Sequence, residues 1–128
     1  MAVGWATVEL ERAALELGNL LAPGSGFEDA PSSVILGARC RAGRAADRAD
    51  LRIVLLEPDT EGRLAATLAR SGEGWVATWI VDAGGGTPAA RGGLSARRPG
   101  PLGDERLLLG GPLAGPHRLF VEAVPSPP

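Results

Sequence analysis

The sequence has no lysine, no glutamine and no tyrosine, and it holds a single histidine, His117, and a single cysteine, Cys40. Without lysine there is neither a Schiff-base nucleophile nor a phosphate-loop lysine. One imidazole cannot build a multi-histidine metal site within one chain. One cysteine excludes an internal disulfide framework and suits a reducing compartment. Excess positive charge is also lacking: 13 basic residues, all arginine, stand against 15 acidic ones, for a net charge of −2. That balance leaves no electrostatic footprint for nucleic acid. No run reaches the roughly 18 apolar residues of a membrane span. The first seven residues lack the basic-then-apolar order of a secretion signal. The expectation is a soluble cytoplasmic protein with neither nucleic acid nor membrane as partner.

What is present is enough for one domain of 128 residues with its own core. Nineteen glycines and 11 prolines suit many tight turns between short strands. Residues 2–8 read as a strand. Leu10, Ala13, Ala14, Leu17 and Leu21 recur at helical spacing until Pro23-Gly24 stops them. Residues 33–41 and 51–57 are apolar and β-branched, and the polar turn between them predicts a hairpin. Leu64, Ala65, Leu68 and Ala69 mark a short amphipathic helix closed by Gly72 and Gly74. A second cycle follows: a strand at 75–82, one weak helical turn at 87–91 after three glycines, and strands at 106–109 and 118–124. The order is an approximate internal duplication.

Three stretches carry a family likeness. Leu55-Leu56-Glu57-Pro58, a helix, then Ala69-Arg70-Ser71-Gly72-Glu73-Gly74 and a strand resemble the centre of methylmalonyl-CoA epimerases and related glyoxalase-like proteins of the vicinal oxygen chelate superfamily. The opening from Gly4 to Ala13 is similar to that family's first strand and helix, and the stretch from Leu119 to Val124 resembles its last strand. The resemblance implies an α+β fold in which paired βαβββ modules form a cupped mixed sheet around a ligand site. Module one would span 1–58, a linking helix 59–74 and module two 75–124 of a single domain. The family's usual divalent-metal ligands would fall on Ala2, Val54, Ala77 and Glu122, of which only Glu122 is a ligand type. The resemblance therefore predicts the fold, while the residues predict no bound metal and no cofactor.

Strand alternation places further side chains with Glu122: Arg118 and Phe120 on the last strand, Arg52 and Leu56 beside Val54, and Trp75 and Trp79 beside Ala77. On residues 34–41, Val34, Leu36, Ala38 and Cys40 form an apolar set expected under a helix, which turns Arg39 and Arg41 to the cup. The expected lining is apolar, with tryptophan for stacking and arginine to clamp a carboxylate or phosphate. Each residue also has a plainer reading. The tryptophans serve equally as core or dimer contacts, the arginines as surface, and Glu122 as a paired residue at a strand end. His117 reads as a loop residue, and Cys40 as a buried small hydrophobe.

Two functions follow. The first is a metal-independent protein that binds a small planar or anionic organic molecule in its cup. The second is a metal-free isomerase, cyclase or lyase acting on an activated carbonyl compound such as an acyl-CoA, with Glu122 as acid/base. The reduced second helix leaves sheet uncovered, which predicts a homodimer.

Overall fold

Small residues Ala2, Gly4 and Ala6 alternate with Val3 and Trp5, and the strand they form, β1 (Ala2–Ala6), is the middle strand of a seven-stranded mixed sheet. The computed structural model describes residues 1–48, 50–82, 93–109 and 117–122, with Val81, Asp82 and Glu122 described by their backbone only. After β1 come α1 (Leu10–Glu16), a 3₁₀ turn (Gly18–Leu20), β2 (Glu28–Ser33), β3 (Ala38–Arg44), β4 (Arg52–Pro58), α2 (Arg63–Ser71), β5 (Gly74–Asp82), β6 (Glu105–Leu107) and β7 (His117–Glu122). The strand order is β2-β3-β4-β1-β5-β7-β6. β4 lies parallel to β1 as β7 lies parallel to β5, and β1 and β5 meet antiparallel at the centre. The expected hairpin is present as the β3–β4 pair. The predicted helical turn at 87–91 lies outside the described residues. Among the described residues no helix is long and apolar enough to cross a membrane.

The expected first helix, 9–21, is shorter in the structure. It ends at Glu16 because Gly18 and Asn19 favour a tight turn over a further helical one. The strand expected at 33–41 is broken by the turn over residues 34–37, where Gly37 takes φ +68 and its N–H donates to the Ser33 carbonyl. The segment before that turn is β2, an edge strand that carries Pro31, which only an edge tolerates readily.

α1 has no capping side chain of its own. The acidic residues of the family-like block supply the caps from a distance. The Leu10 N–H donates to Glu57 Oε2 at 2.9 Å, and the Val8 N–H and Thr7 hydroxyl both donate to Glu73 Oε2, at 2.9 and 2.8 Å. Arg12 reaches Glu73 at 2.6 Å. These donors hold the Glu73 carboxyl below the usual carboxylate range, the Val8 amide most of all. The Glu-Pro and Gly-Glu-Gly elements of that block therefore fasten the first helix to the sheet.

The sheet is curled. Ser33 on edge strand β2 donates from Oγ to Glu105 Oε2 on the opposite edge strand β6, at 2.7 Å. Val34 N–H donates to the Pro99 carbonyl beside it. Inside the curl lies the main core: Ala2 and Ala6, Ala38, Cys40 and Ala42, Val54 and Leu56, Val76, Ala77 and Trp79, Leu107, Leu119 and Val121, with Leu36 and Leu64 packed in from the β2–β3 turn and α2. A smaller cluster of Leu21, Ala45 and Ile53 sits on the outer face.

Candidate functional site

The centre of the curl is occupied by the chain itself. Trp79 is 0 % exposed, and its ring lies where a Cβ on Gly4 would come within 2.7 Å. Only glycine at position 4 leaves room for the indole. The indole Nε1–H donates to Glu105 Oε1 at 2.9 Å. Glu105 is thus a fully buried carboxylate with two donors, Trp79 and Ser33. Burial raises its pKa, and the two hydrogen bonds oppose that only in part. Sequence reasoning missed Glu105. The signal that was available is its alternation with Leu107 on one face of a short strand.

Around this plug the expected site residues divide. Ala2, Val54 and Ala77 are buried together on the core face, as expected. Trp75 and Trp79, expected side by side, lie on opposite faces. The pairing of β1 with β5 shifts register between Gly4 and Trp5, so Trp75 pairs with Trp5. Its ring stands edge-to-face against Trp5, with centroids 5.0 Å apart, and is 50 % exposed. Arg39 and Arg41 also turn away from the cup. Ala38, Cys40 and Ala42 take the core face, so the arginines pair outside it with Glu57 and Asp29. They border a shallow outer pocket with Glu9, Leu10 and Glu11. On β7 the core face belongs to Leu119 and Val121, which leaves Arg118 and Phe120 on the other side. Glu122 closes β7 in register with Asp82, and its side chain lies outside the described atoms.

Arg52 opens β4 at an open pocket of about 340 Å³, lined by Met1, Asp50, Arg52, Pro101 and Leu102. The turn carrying Pro101 and Leu102 crosses from the β2 edge, where Pro99 accepts the Val34 N–H, to the start of β1. Among the described residues the Arg52 guanidinium has no ion-pair partner, whereas Arg12, Arg39, Arg41 and Arg48 each have one. Cys40 is buried, and its thiol is pushed up to about 12, chiefly by that burial. His117 begins β7 and bonds Thr67 of α2. It is a strand residue, not the loop residue expected. Among the described residues no three His, Cys, Asp or Glu side chains come together as a metal site.

A curled mixed sheet with two helices and a β1–β5 seam is the vicinal oxygen chelate, glyoxalase-like α+β fold, and solved structures show the likeness directly. Methylmalonyl-CoA epimerase from Mycobacterium tuberculosis superposes with a TM-score of 0.71 at 20 % identity, covering 97 % of this chain and 87 % of that one. A variant of the Streptomyces coelicolor methylmalonyl-CoA epimerase in complex with 2-nitronate-propionyl-CoA gives 0.72 at 18 %, covering 95 % and 94 %. A hypothetical protein from Bacillus halodurans gives 0.68 at 17 %, covering 99 % and 95 %. No protein-family model and no curated protein matches the sequence.

Proposed function

We propose that this chain binds a small planar or anionic organic molecule without a divalent metal, in the pocket between Arg52 and the Pro101–Leu102 turn. The observation that carries this reading is the unpaired Arg52 in a pocket whose other walls include Met1, Pro101 and Leu102. A guanidinium beside apolar walls suits a carboxylate or phosphate attached to an acyl or ring group. Its volume of about 340 Å³ is at the small end of ligand sites. The floor of the cup is a poor alternative because Trp79 fills it. The metal-ligand positions of the resemblance support metal independence. Ala2, Val54 and Ala77 offer methyl and isopropyl groups where a divalent ion needs nitrogen or oxygen.

A second reading is a metal-free isomerase of an acyl-CoA, with Glu122 as acid/base. It is favoured by structural neighbours that are epimerases, one of them solved with methylmalonyl-CoA and ammonium. The registers Ala2–Trp79 and Asp82–Glu122 also carry the end of β7 toward the end of the sheet where β1 starts.

One set of variants separates the readings, with propionyl-CoA as probe. Arg52→Ala is expected to weaken binding about tenfold or more, the scale of a lost charge-assisted hydrogen bond. Unchanged affinity would remove the pocket from consideration. Glu122→Gln keeps shape and changes affinity by no more than about 1–2 kcal/mol if the protein only binds. If it is an acid/base enzyme, exchange of the α-proton in deuterated water falls roughly 100-fold while binding survives.

The protein is also proposed to act as a homodimer, joined through the outer face of β5. Trp75 and Ile80 are exposed there, beside a pocket lined by Val3, Trp75, Ala77 and Thr78. Light scattering should give about twice the 13.1 kDa chain mass. A species of single-chain mass at micromolar concentration would contradict this.

A further inference from the structure

On α2, Arg63, Thr67 and Arg70 stand at i, i+4 and i+7, one stripe of the helix. Thr67 Oγ1 lies 2.9 Å from His117 Nε2 and 2.9 Å from the Arg63 carbonyl. A hydroxyl has one proton. With that proton given to the carbonyl, His117 donates from Nε2 to Thr67 and keeps an unprotonated Nδ1. Both arginines are exposed, and among the described residues neither guanidinium has an ion-pair or hydrogen-bond partner. No carboxylate among those residues pairs with His117 either. Burial lowers the pKa of the half-buried imidazole, and the positive charges of Arg63 and then Arg70 lower it further. The chain thus gathers two uncompensated guanidiniums, a hydroxyl and a neutral imidazole where α2 meets β7.

We propose that Arg63, Thr67, Arg70 and His117 form a binding site for the phosphoryl group of a small phosphorylated molecule, separate from the pocket at Arg52. His117 stands in the sheet row of Ala77, Gly4 and Val54, three strands across from β4, so about 15 Å of sheet separates it from Arg52. A single guanidinium fork satisfies a carboxylate, whereas two guanidiniums, joined by an Nδ1–H once His117 takes up a proton, match the tetrahedral oxygens of a dianion, with Thr67 holding the ring from Nε2. The bound dianion would cancel the repulsion on His117 and give its ring a new acceptor. Phosphoryl binding and proton uptake by the imidazole therefore reinforce each other.

His117 is the chain's only imidazole, so its ring resonances report on this place alone. The full chain is titrated with inorganic phosphate at constant ionic strength, with chloride as the balancing salt. The expected result is a saturable shift of the His117 signals and a raised His117 pKa at saturation. The Arg63→Ala/Arg70→Ala double variant, altered only at exposed positions, should keep its circular dichroism spectrum and lose at least about tenfold in phosphate affinity. Arg52→Ala should respond as the unaltered protein does. A saturable response to glycerol phosphate as well as to inorganic phosphate would assign the phosphoryl group as the recognised element. A response to acetate equal to that to phosphate, no saturable shift beyond chloride, or an unchanged response in the double variant would each overturn the proposal.

Discussion

Trp79→Ala is expected to destabilise the protein by about 3–5 kcal/mol, the range for removing a large buried aromatic ring. The indole is completely buried at the centre of the curl, against Gly4 and Leu56. Its removal deletes contacts from β1, β4 and β6 at once. The surrounding residues have little freedom to close the gap, because Ala2, Ala6 and Ala77 carry only methyl groups. The lost indole N–H also deprives Glu105 of one of its two donors. Trp79→Phe separates the two contributions: it keeps most of the ring volume, loses the donor and should cost clearly less. Urea denaturation followed by circular dichroism measures both. A loss under about 1 kcal/mol for the alanine variant would show that the ring does not fill the cup.

Glu105 should give the protein an uncommon dependence on pH. Its pKa is raised in the folded state, first of all by burial. The folded protein therefore holds the proton more tightly than the unfolded chain does. The stability this contributes is complete below the ordinary glutamate value and is lost as pH climbs through the raised one. Glu105→Gln removes the titration while keeping a hydrogen-bonding group of similar shape. The variant should equal or exceed the natural protein in stability at pH 7.5, with its advantage shrinking toward pH 5. Glu105→Ala leaves the Trp79 N–H and Ser33 hydroxyl without their acceptor and is expected to cost about 2–4 kcal/mol. Thermal melts across that pH range, compared for the three proteins, check both expectations. Parallel curves for the natural protein and the glutamine variant would show that Glu105 does not titrate as argued.

The order of elements was legible in the sequence because each element carries a local signal. Apolar spacing marks α2, the turn residues before Leu51 mark the β3–β4 hairpin, and the alternation of Ala2, Gly4 and Ala6 marks the inner face of β1. What was not legible depends on pairing between distant segments. β2 reads Glu-Asp-Ala-Pro-Ser-Ser, with little strand preference, and becomes a strand because β3 offers it an edge. The faces of Trp75 and Trp79 depend on a register shift opposite Gly4 that no local pattern announces. The faces of Arg39 and Arg41 depend on where the apolar set of Leu36, Ala38 and Cys40 packs: it fills the curl and not the underside of a helix, so the arginines turn outward. Glu105 follows Asp104 and a glycine, so it reads as part of a polar turn. Only the closing of the sheet on itself brings it against Trp79 and Ser33.

The buried Cys40 makes this chain a natural clock for its own opening. With the thiol pKa pushed up to about 12, only about one molecule in 10⁵ carries a thiolate at neutral pH, and the sulfur is shielded within the curl as well. An alkylating reagent therefore meets a reactive thiol only when β3 separates from its neighbours, and the chain holds no second cysteine to confuse the reading. The labelling rate then counts excursions of the sheet away from its closed form.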